Sequence, residues 1–142
     1  VHANLDEIVR RAMAVKIRVI EQDPYEQGQR AALNLGHTLG HAIELASDFR
    51  LRHGEGVAIG MLAAARYAQR IGLADPGLVN RIEAALVGLG LPVAPPPGLD
   101  RERILAGIGV DKKRKAGKVR LALPVGIGQE QVGIPLEDTA LL

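Results

Sequence analysis

Apolar residues recur at helical spacing in five separate stretches, and this periodicity limits the fold more than any other feature of the chain. The first stretch runs from about Asn4 to Gln22 and stops before Asp23-Pro24, because the residue before a proline disfavours the helical conformation. The second runs from about Glu26 to Ala46. The third, from about Glu55 to Ile71, is apolar nearly all round, which predicts a buried central helix.

The remainder of the chain predicts two more helices and a small β element. Asp75-Pro76 is typical of a helix start, with a capping residue followed by proline at the first helical position. Asp100 opens a fifth helix, and residues 119–125 and 130–136 are short apolar stretches separated by glycines, which predict a hairpin. We therefore expect a mainly α fold, a multihelical array with a small β-hairpin near the C-terminus. The 142 residues fit a single helical domain.

Composition excludes several classes of function. The aromatic residues are only Tyr25, Tyr67 and Phe49, and the net charge is +2, so nucleic-acid binding is not expected. The absence of cysteine excludes thiolate metal sites and cysteine nucleophiles. No apolar run is long enough to span a bilayer and no signal peptide is visible, which predicts a soluble, cytoplasmic protein without a membrane partner.

A polar stripe interrupts the second predicted helix. Its members follow one another at steps of four, three and four residues: Arg30, Asn34, His37 and His41. Such steps would place them on one helix face, and a solvated face would favour Glu, Lys and Gln instead. The stripe indicates a functional surface; the alternative is a helix crossing with satisfied core histidines. A zinc-protease motif is excluded, because Thr38 stands where that motif needs glutamate.

Two glycines and a third histidine add to this pattern. Gly36 and Gly40 stand beside the histidines although each weakens a helix by about 1 kcal/mol relative to alanine. They indicate that another helix or a ligand approaches the backbone closely. His53 opens the tripeptide HGE and is a candidate metal ligand, with an exposed loop histidine as the alternative. Glu55 fits either the site or a helix cap.

Lys16 lies among apolar neighbours on the first predicted helix. Burying a lysine there is unfavourable unless its amine meets an anion or reaches solvent. Beside the polar stripe, Lys16 favours an anionic ligand. The basic run at residues 112–118 is usually typical of a solvated loop, but it can also close over a phosphate or carboxylate.

These motifs together resemble 3-dehydroquinate synthase. RAALNLGHTLGHAIE, HGEGVAIGM, GLP, DKK and GKVRLALPVGIG follow one another in the family's order, within a match from about Lys16 to Gly128. The resemblance is to the C-terminal, helical half of that enzyme. It implies that the N-terminal NAD-binding domain is absent from this chain, which begins VHANLDE without a methionine.

The resemblance implies an activity. The family's enzymes are lyases that convert the sugar-acid phosphate DAHP to 3-dehydroquinate and phosphate in the shikimate pathway of aromatic amino acid biosynthesis. Their NAD transiently oxidises a ring hydroxyl, and a zinc ion, or cobalt, holds and polarises the substrate hydroxyls. The isolated chain is expected to be inactive. Its expected partners are the small anionic substrate, the N-terminal domain and a second copy in a homodimer.

The resemblance also implies roles for particular residues. His37 and His53 are implied zinc ligands, with a third ligand, a glutamate, upstream of this chain. His41 is implied to contact the substrate and transfer protons, as the catalytic residue. The implied substrate-binding residues are Lys16, Arg30, Asn34, Lys112 and Lys113, of which one of the two adjacent lysines makes the contact.

Two alternatives stay open. Another sugar-phosphate cyclase, such as an enzyme like 2-deoxy-scyllo-inosose synthase, would share the zinc site and differ in its substrate. A non-catalytic helical module would carry half a metal site and no nucleotide domain.

Overall fold

A computed structural model of the chain describes residues 4–26, 28–114 and 119–137, without the side chains of 110–114. The described elements are α1 (Leu5–Gln22), a 3₁₀ helix (Gln29–Asn34), α2 (His37–Ala46), α3 (His53–Arg70), α4 (Pro76–Gly88), α5 (Arg101–Arg114), β1 (Arg120–Gly126) and β2 (Gln129–Pro135). This arrangement confirms the predicted mainly α fold with a small hairpin near the C-terminus.

The helix α3 is the central element, as its apolar sequence predicts. Leu62 and Ala65 on one side of α3 pack with α4, while Tyr67 and Ala68 belong to a second cluster with α2, α5 and β1. Leu62, Ala65 and Ala68 have no exposed surface. The many alanines and glycines of α3 allow neighbouring elements to approach its backbone closely, which compensates for the shortage of aromatic side chains in the core.

The hairpin is joined to this core by Tyr67. Strands β1 and β2 pair antiparallel, with irregular register between Leu121 and Leu123. The buried Tyr67 hydroxyl donates to the carbonyl of Pro135 at 3.2 Å and accepts from the amide of Glu137 at 3.3 Å. Because both strands also contact the 3₁₀ helix, the hairpin supports the segment that leads into α2.

The prediction of one continuous helix from Glu26 to Ala46 is wrong. The chain forms the 3₁₀ helix first, turns at Leu35-Gly36, and only then begins α2 at His37. Gly36 has φ +77°, a conformation that glycine adopts without strain. At the start of the 3₁₀ helix the Asp23 carboxylate accepts hydrogen bonds from the amides of residues 28 and 30. These bonds hold the 3₁₀ helix as an element separate from α1.

The helix α1 lies against the rest of the domain without burying any of its own side chains, all of which are described. Its apolar stripe is exposed at Val9, Met13 and Ile17. Lys16 is itself exposed, which is the second of the two outcomes that the sequence allowed, an amine that meets an anion or reaches solvent. None of the helices in the described ranges combines the length and the apolar character that crossing a membrane requires.

Candidate functional site

Glycines bring α2 against α3. A Cβ on Gly60 would lie 2.1 Å from the carbonyl oxygen of Gly36, and a Cβ on Gly40 would lie 2.9 Å from the carbonyl oxygen of Gly56. The sequence allowed either another helix or a ligand beside Gly36 and Gly40. The structure places the helix α3 beside both glycines. This close packing brings the first turn of α2 beside the first residue of α3.

Three histidine rings meet at this helix contact. The ring centroids lie 5.7 Å apart for His37 and His41, 5.3 Å for His37 and His53, and 5.5 Å for His41 and His53. His53 is the first residue of α3 and its side chain is 58 % exposed, so the cluster is open to solvent. The structure thus brings together all three histidines that the sequence singled out.

Hydrogen bonds fix two of these rings. The Nδ1 of His37 lies 3.2 Å from the carbonyl oxygen of Leu35, and the Nδ1 of His53 lies 3.0 Å from Oε1 of Glu44. A carbonyl or an ionised carboxylate only accepts, so each Nδ1 carries a proton, and in the neutral form of each ring Nε2 keeps its lone pair. Among the residues that the structure describes, the ring of His41 has no such acceptor.

Glu44 is a site residue that the sequence did not predict, although it closes the motif RAALNLGHTLGHAIE. It stands three residues after His41 and seven after His37, on the same face of α2, in an otherwise apolar run. That isolated carboxylate was the available signal. One ligand atom each from His41, Glu44 and His53 lies within 4.8 Å of the others, a spacing that could hold a metal ion and that does not include His37.

A cavity of about 380 Å³ adjoins the histidines, and it is lined by Lys16, Ile20, Glu26, Arg30, Leu33, Asn34 and His37. Four of the predicted site residues thus face one space, although they come from three elements and not from one helix face. Steps of four, three and four residues share one face only on a continuous helix, so the prediction of a single helix face for the stripe is wrong. The turn at Leu35-Gly36 brings the residues together instead.

Polar contacts organise the cavity wall. The amide nitrogen Nδ2 of Asn34 donates to Oε1 of Glu26 at 2.9 Å, and the Arg30 guanidinium donates to the carbonyl of Pro24 at 2.8 Å. Glu26 was missed because nothing in its local sequence distinguishes it from a loop residue. The side chains of Lys112 and Lys113 lie outside the described part of the chain, so their predicted contact stays a prediction.

Glu55 is placed at the start of α3 as a helix cap. Its carboxylate oxygen Oε2 accepts from the backbone amide of Arg52 at 2.8 Å. Such a contact satisfies an amide at the helix entrance. Of its two interpretations from sequence, capping is the one with a contact in the structure.

Known proteins place this arrangement in a family. The sequence profile of the family described as 3-dehydroquinate synthase C-terminal matches residues 1–114. The chain belongs to this family. The resemblance read from the motifs is thereby confirmed.

Relatives of the 3-dehydroquinate synthase family align with nearly all of the chain. A 3-dehydroquinate synthase from Synechocystis sp. is 44 % identical over 138 residues, which cover 96 % of this chain and 38 % of the relative. One from Xanthomonas oryzae pv. oryzae is 41 % identical over 146 residues, which cover 99 % of this chain and 40 % of that relative. The chain therefore spans about 40 % of the length of the curated relatives it matches.

Solved structures of cyclases are similar to this member of the 3-dehydroquinate synthase family. A crystal structure of 2-deoxy-scyllo-inosose synthase with carbaglucose-6-phosphate, NAD⁺ and Co²⁺ matches with a TM-score of 0.76 and 29 % identity, covering 96 % of this chain and 36 % of that one. The 2-epi-5-epi-valiolone synthase of Streptomyces hygroscopicus, with NAD⁺ and Zn²⁺ bound, matches with a TM-score of 0.70 at 23 % identity over 92 % of this chain and 34 % of that one, and shows the fold alone.

Proposed function

We propose that this chain forms the metal- and substrate-binding part of a 3-dehydroquinate synthase, which converts DAHP to 3-dehydroquinate and phosphate. The observation that carries this proposal is the position of His37. Its ring lines the cavity with Lys16, Arg30 and Asn34, and it also contacts the rings of His41 and His53. A metal ion and an anionic substrate would therefore occupy adjoining space.

The donor set fits a zinc or cobalt ion, because imidazole nitrogens are ligands that both metals accept. We propose His37 and His53 as ligands, with a third, a glutamate, from sequence upstream of Val1. Their support is the pair of Nδ1 hydrogen bonds, which leaves Nε2 of each ring available. A bound metal would polarise the substrate hydroxyls.

The cavity residues would bind the substrate through its acidic groups. Lys16 and Arg30 supply two positive charges to one space, which suits a ligand that bears both a carboxylate and a phosphate. The amide of Asn34 donates to Glu26, so its oxygen is directed away from that contact and can accept from a substrate hydroxyl. Lys112 and Lys113 remain proposed as the source of one further contact.

His41 is the proposed proton-transfer residue. Its ring lies at 5.7 Å and 5.5 Å from the rings of His37 and His53, measured between centroids. It is exposed and, in the described residues, lacks the acceptor that would fix its tautomer. A ring that can take up and release a proton at either nitrogen suits general acid–base work. The NAD would be bound by sequence upstream of this chain, and assembly as a cytoplasmic homodimer is part of the same proposal.

Another sugar-phosphate cyclase is the second candidate. Its support is the similarity to 2-deoxy-scyllo-inosose synthase, with a TM-score of 0.76. A phosphate can pair with both Lys16 and Arg30, so the two cavity cations suit either substrate. The higher identity to 3-dehydroquinate synthases, 41 % and 44 % against 29 %, favours the first candidate.

A chimera tests the proposal. Residues 1–142 would replace the matching C-terminal part of the Synechocystis relative, and phosphate release would be measured with NAD, zinc and either DAHP or glucose 6-phosphate. We expect turnover of DAHP, none by residues 1–142 alone, and none by the chimera with His41→Ala. Turnover of glucose 6-phosphate alone would favour the second candidate. A folded chimera that turns over neither substrate would favour a non-catalytic module.

A further inference from the structure

We propose that Glu44 is a positioning residue for His53, and that its carboxylate fixes the ring so that Nε2 is the atom left to bind a metal ion. The inference rests on the proposed function, since it gives a purpose to the orientation of a proposed ligand. It concerns a residue to which the family resemblance attached no role. It is argued from the contact between α2 and α3.

His53 needs a partner to hold it. It is the first residue of α3 and its side chain is 58 % exposed, so little packing restrains the imidazole. The hydrogen bond from Nδ1 to Oε1 of Glu44, at 3.0 Å, joins it to a residue two turns into α2. Because an ionised carboxylate can only accept, this bond selects the tautomer with its proton on Nδ1.

Glu44 is itself held rigidly. Its side chain is only 10 % exposed, and it lies where α2 meets the start of α3. A Cβ on Gly56 would lie 2.7 Å from both Cγ and Oε1 of Glu44, so the glycine provides the space that the carboxylate fills. A buried carboxylate requires a partner, and the ring of His53 is the one that the structure gives it.

The competing interpretation makes Glu44 a ligand together with His41 and His53, whose ligand atoms all lie within 4.8 Å of one another. Two observations favour the positioning role. Oε1 of Glu44 is already occupied by the Nδ1 proton of His53, and the buried carboxylate contrasts with the exposed rings. The two roles predict opposite zinc affinities for Glu44→Gln. Glutamine keeps an acceptor oxygen for His53, but its neutral amide is a poor substitute for an anionic metal ligand.

The first test observes the tautomer without any metal. The chain has four histidines, so ¹⁵N-labelled imidazoles can be assigned by single substitutions, and the tautomer of each neutral ring read from its two-bond ¹H–¹⁵N correlations. We expect His53 to carry its proton on Nδ1 in the wild-type chain and in Glu44→Gln. Glu44→Ala should move it toward Nε2. The matched control, Glu55→Ala, removes a carboxylate that caps the same helix and should leave the tautomer of His53 unchanged.

The second test measures zinc affinity by calorimetry for the same substitutions in the chimera, which supplies the proposed third ligand. Loss of an outer partner of a ligating histidine lowers affinity by about 10- to 100-fold, which is expected for Glu44→Ala. Glu44→Gln should stay within a few-fold of wild type. An equal loss in both variants would make Glu44 a ligand, and an Nε2 proton on wild-type His53, or an unchanged tautomer in Glu44→Ala, would overturn the inference.

These outcomes separate the inference from the function on which it rests. If the tautomer responds to Glu44 but zinc binding ignores His37→Ala and His53→Ala, the metal site fails while the Glu44–His53 contact stands. If the tautomer ignores Glu44 while the chimera still turns over DAHP, the inference alone fails. If Glu44→Ala does not fold, the inference is still tested by two measurements. These are the tautomer of His53 in the wild-type chain and the zinc affinity of Glu44→Gln, which preserves the shape of the side chain.

Discussion

Gly60 of α3 lies so close to Gly36 that a Cβ on Gly60 would stand 2.1 Å from the Gly36 carbonyl oxygen. The contact is made by main-chain atoms on the Gly36 side, so it cannot be relieved by a change of rotamer. It sets the distance between the helix that carries His37 and His41 and the helix that begins with His53. The geometry of the histidine cluster therefore depends on a residue that has no side chain.

Replacing Gly60 by alanine should destabilise the fold. Overpacking a tight contact typically costs about 1–3 kcal/mol, and because the neighbour here is backbone we expect the upper end of that range. The free energy of unfolding, obtained by urea titration of the wild-type chain and of Gly60→Ala, measures this destabilisation. Gly54→Ala is the matched control in the same helix, because a Cβ there meets nothing within 4 Å. A Gly60→Ala chain as stable as wild type would contradict the contact.

Replacing Arg30 by alanine should impair catalysis far more than folding. Hydrogen bonds to charged groups contribute about 1.5–3 kcal/mol, so kcat/KM of the DAHP reaction should fall roughly 10- to 150-fold in the active chimera. The backbone bond from the Arg30 amide to Asp23 survives the change, and among the described residues the side chain loses only its bond to Pro24. Arg18→Ala, exposed on α1, is the control for activity. A large drop in melting temperature with Arg30→Ala would instead make that residue structural.

The three histidines should separate into two functions. His37→Ala and His53→Ala should each weaken zinc binding, because their Nε2 atoms are the proposed ligands. His41→Ala should leave zinc affinity within a few-fold while abolishing turnover. In the chimera, calorimetric titration after removal of metal by a chelator measures zinc binding, and phosphate release measures turnover. Loss of binding in His41→Ala with retention in His37→Ala would reassign the metal to His41, Glu44 and His53.

The ion pair between Asp48 and Arg103 should make stability depend on acid pH. The Arg103 guanidinium, 2.6 Å from Oδ1 of Asp48, holds the pKa of that carboxyl below its ordinary value. The unfolded chain therefore binds this proton at a higher pH than the folded chain does. The ion pair therefore stabilises the fold at pH values above the ordinary aspartate pKa. This stabilisation is lost as the pH falls through the lowered pKa of Asp48.

Asp48→Asn should reveal this contribution. Residue 48 has φ +54°, which asparagine tolerates, so the substitution removes the charge without adding backbone strain. Its melting temperature should lie slightly below that of wild type at neutral pH, and the two should converge in strong acid. The difference should shrink in high salt, because the pair is exposed and salt screens it. A difference that persists unchanged in strong acid would argue against the pair.

Much of the fold could be predicted from periodicity and from helix-ending residues. The boundaries of α1, the central position of α3 and the hairpin all follow from local patterns. The break before His37 could not be predicted, because residues 31–35 read as an ordinary helix. What decides the break is the left-handed turn at Gly36 and its contact with Gly60, two residues far apart in the sequence.

The candidate site was predictable to a similar degree. Spacing and family motifs selected Lys16, Arg30, Asn34 and His37, which line one cavity. Lys16 lies on an apolar stripe that is exposed, because such a stripe is buried only where another element covers it. Glu44 is marked in the sequence only as a carboxylate in an apolar run, and its role became visible through the contact with His53, because a partner on another helix cannot be read from that run.

The turn at Leu35-Gly36 divides the site into two separately built parts. Two of the residues proposed to recognise the sugar acid, Arg30 and Asn34, stand on the 3₁₀ helix, whereas the histidines stand on α2 and α3. The hydrogen bond from the Gly40 amide to the Gly36 carbonyl, at the start of α2, involves none of residues 29–34. A lineage of cyclases could thus diverge in its choice of sugar by rewriting that short segment while inheriting its metal chemistry intact.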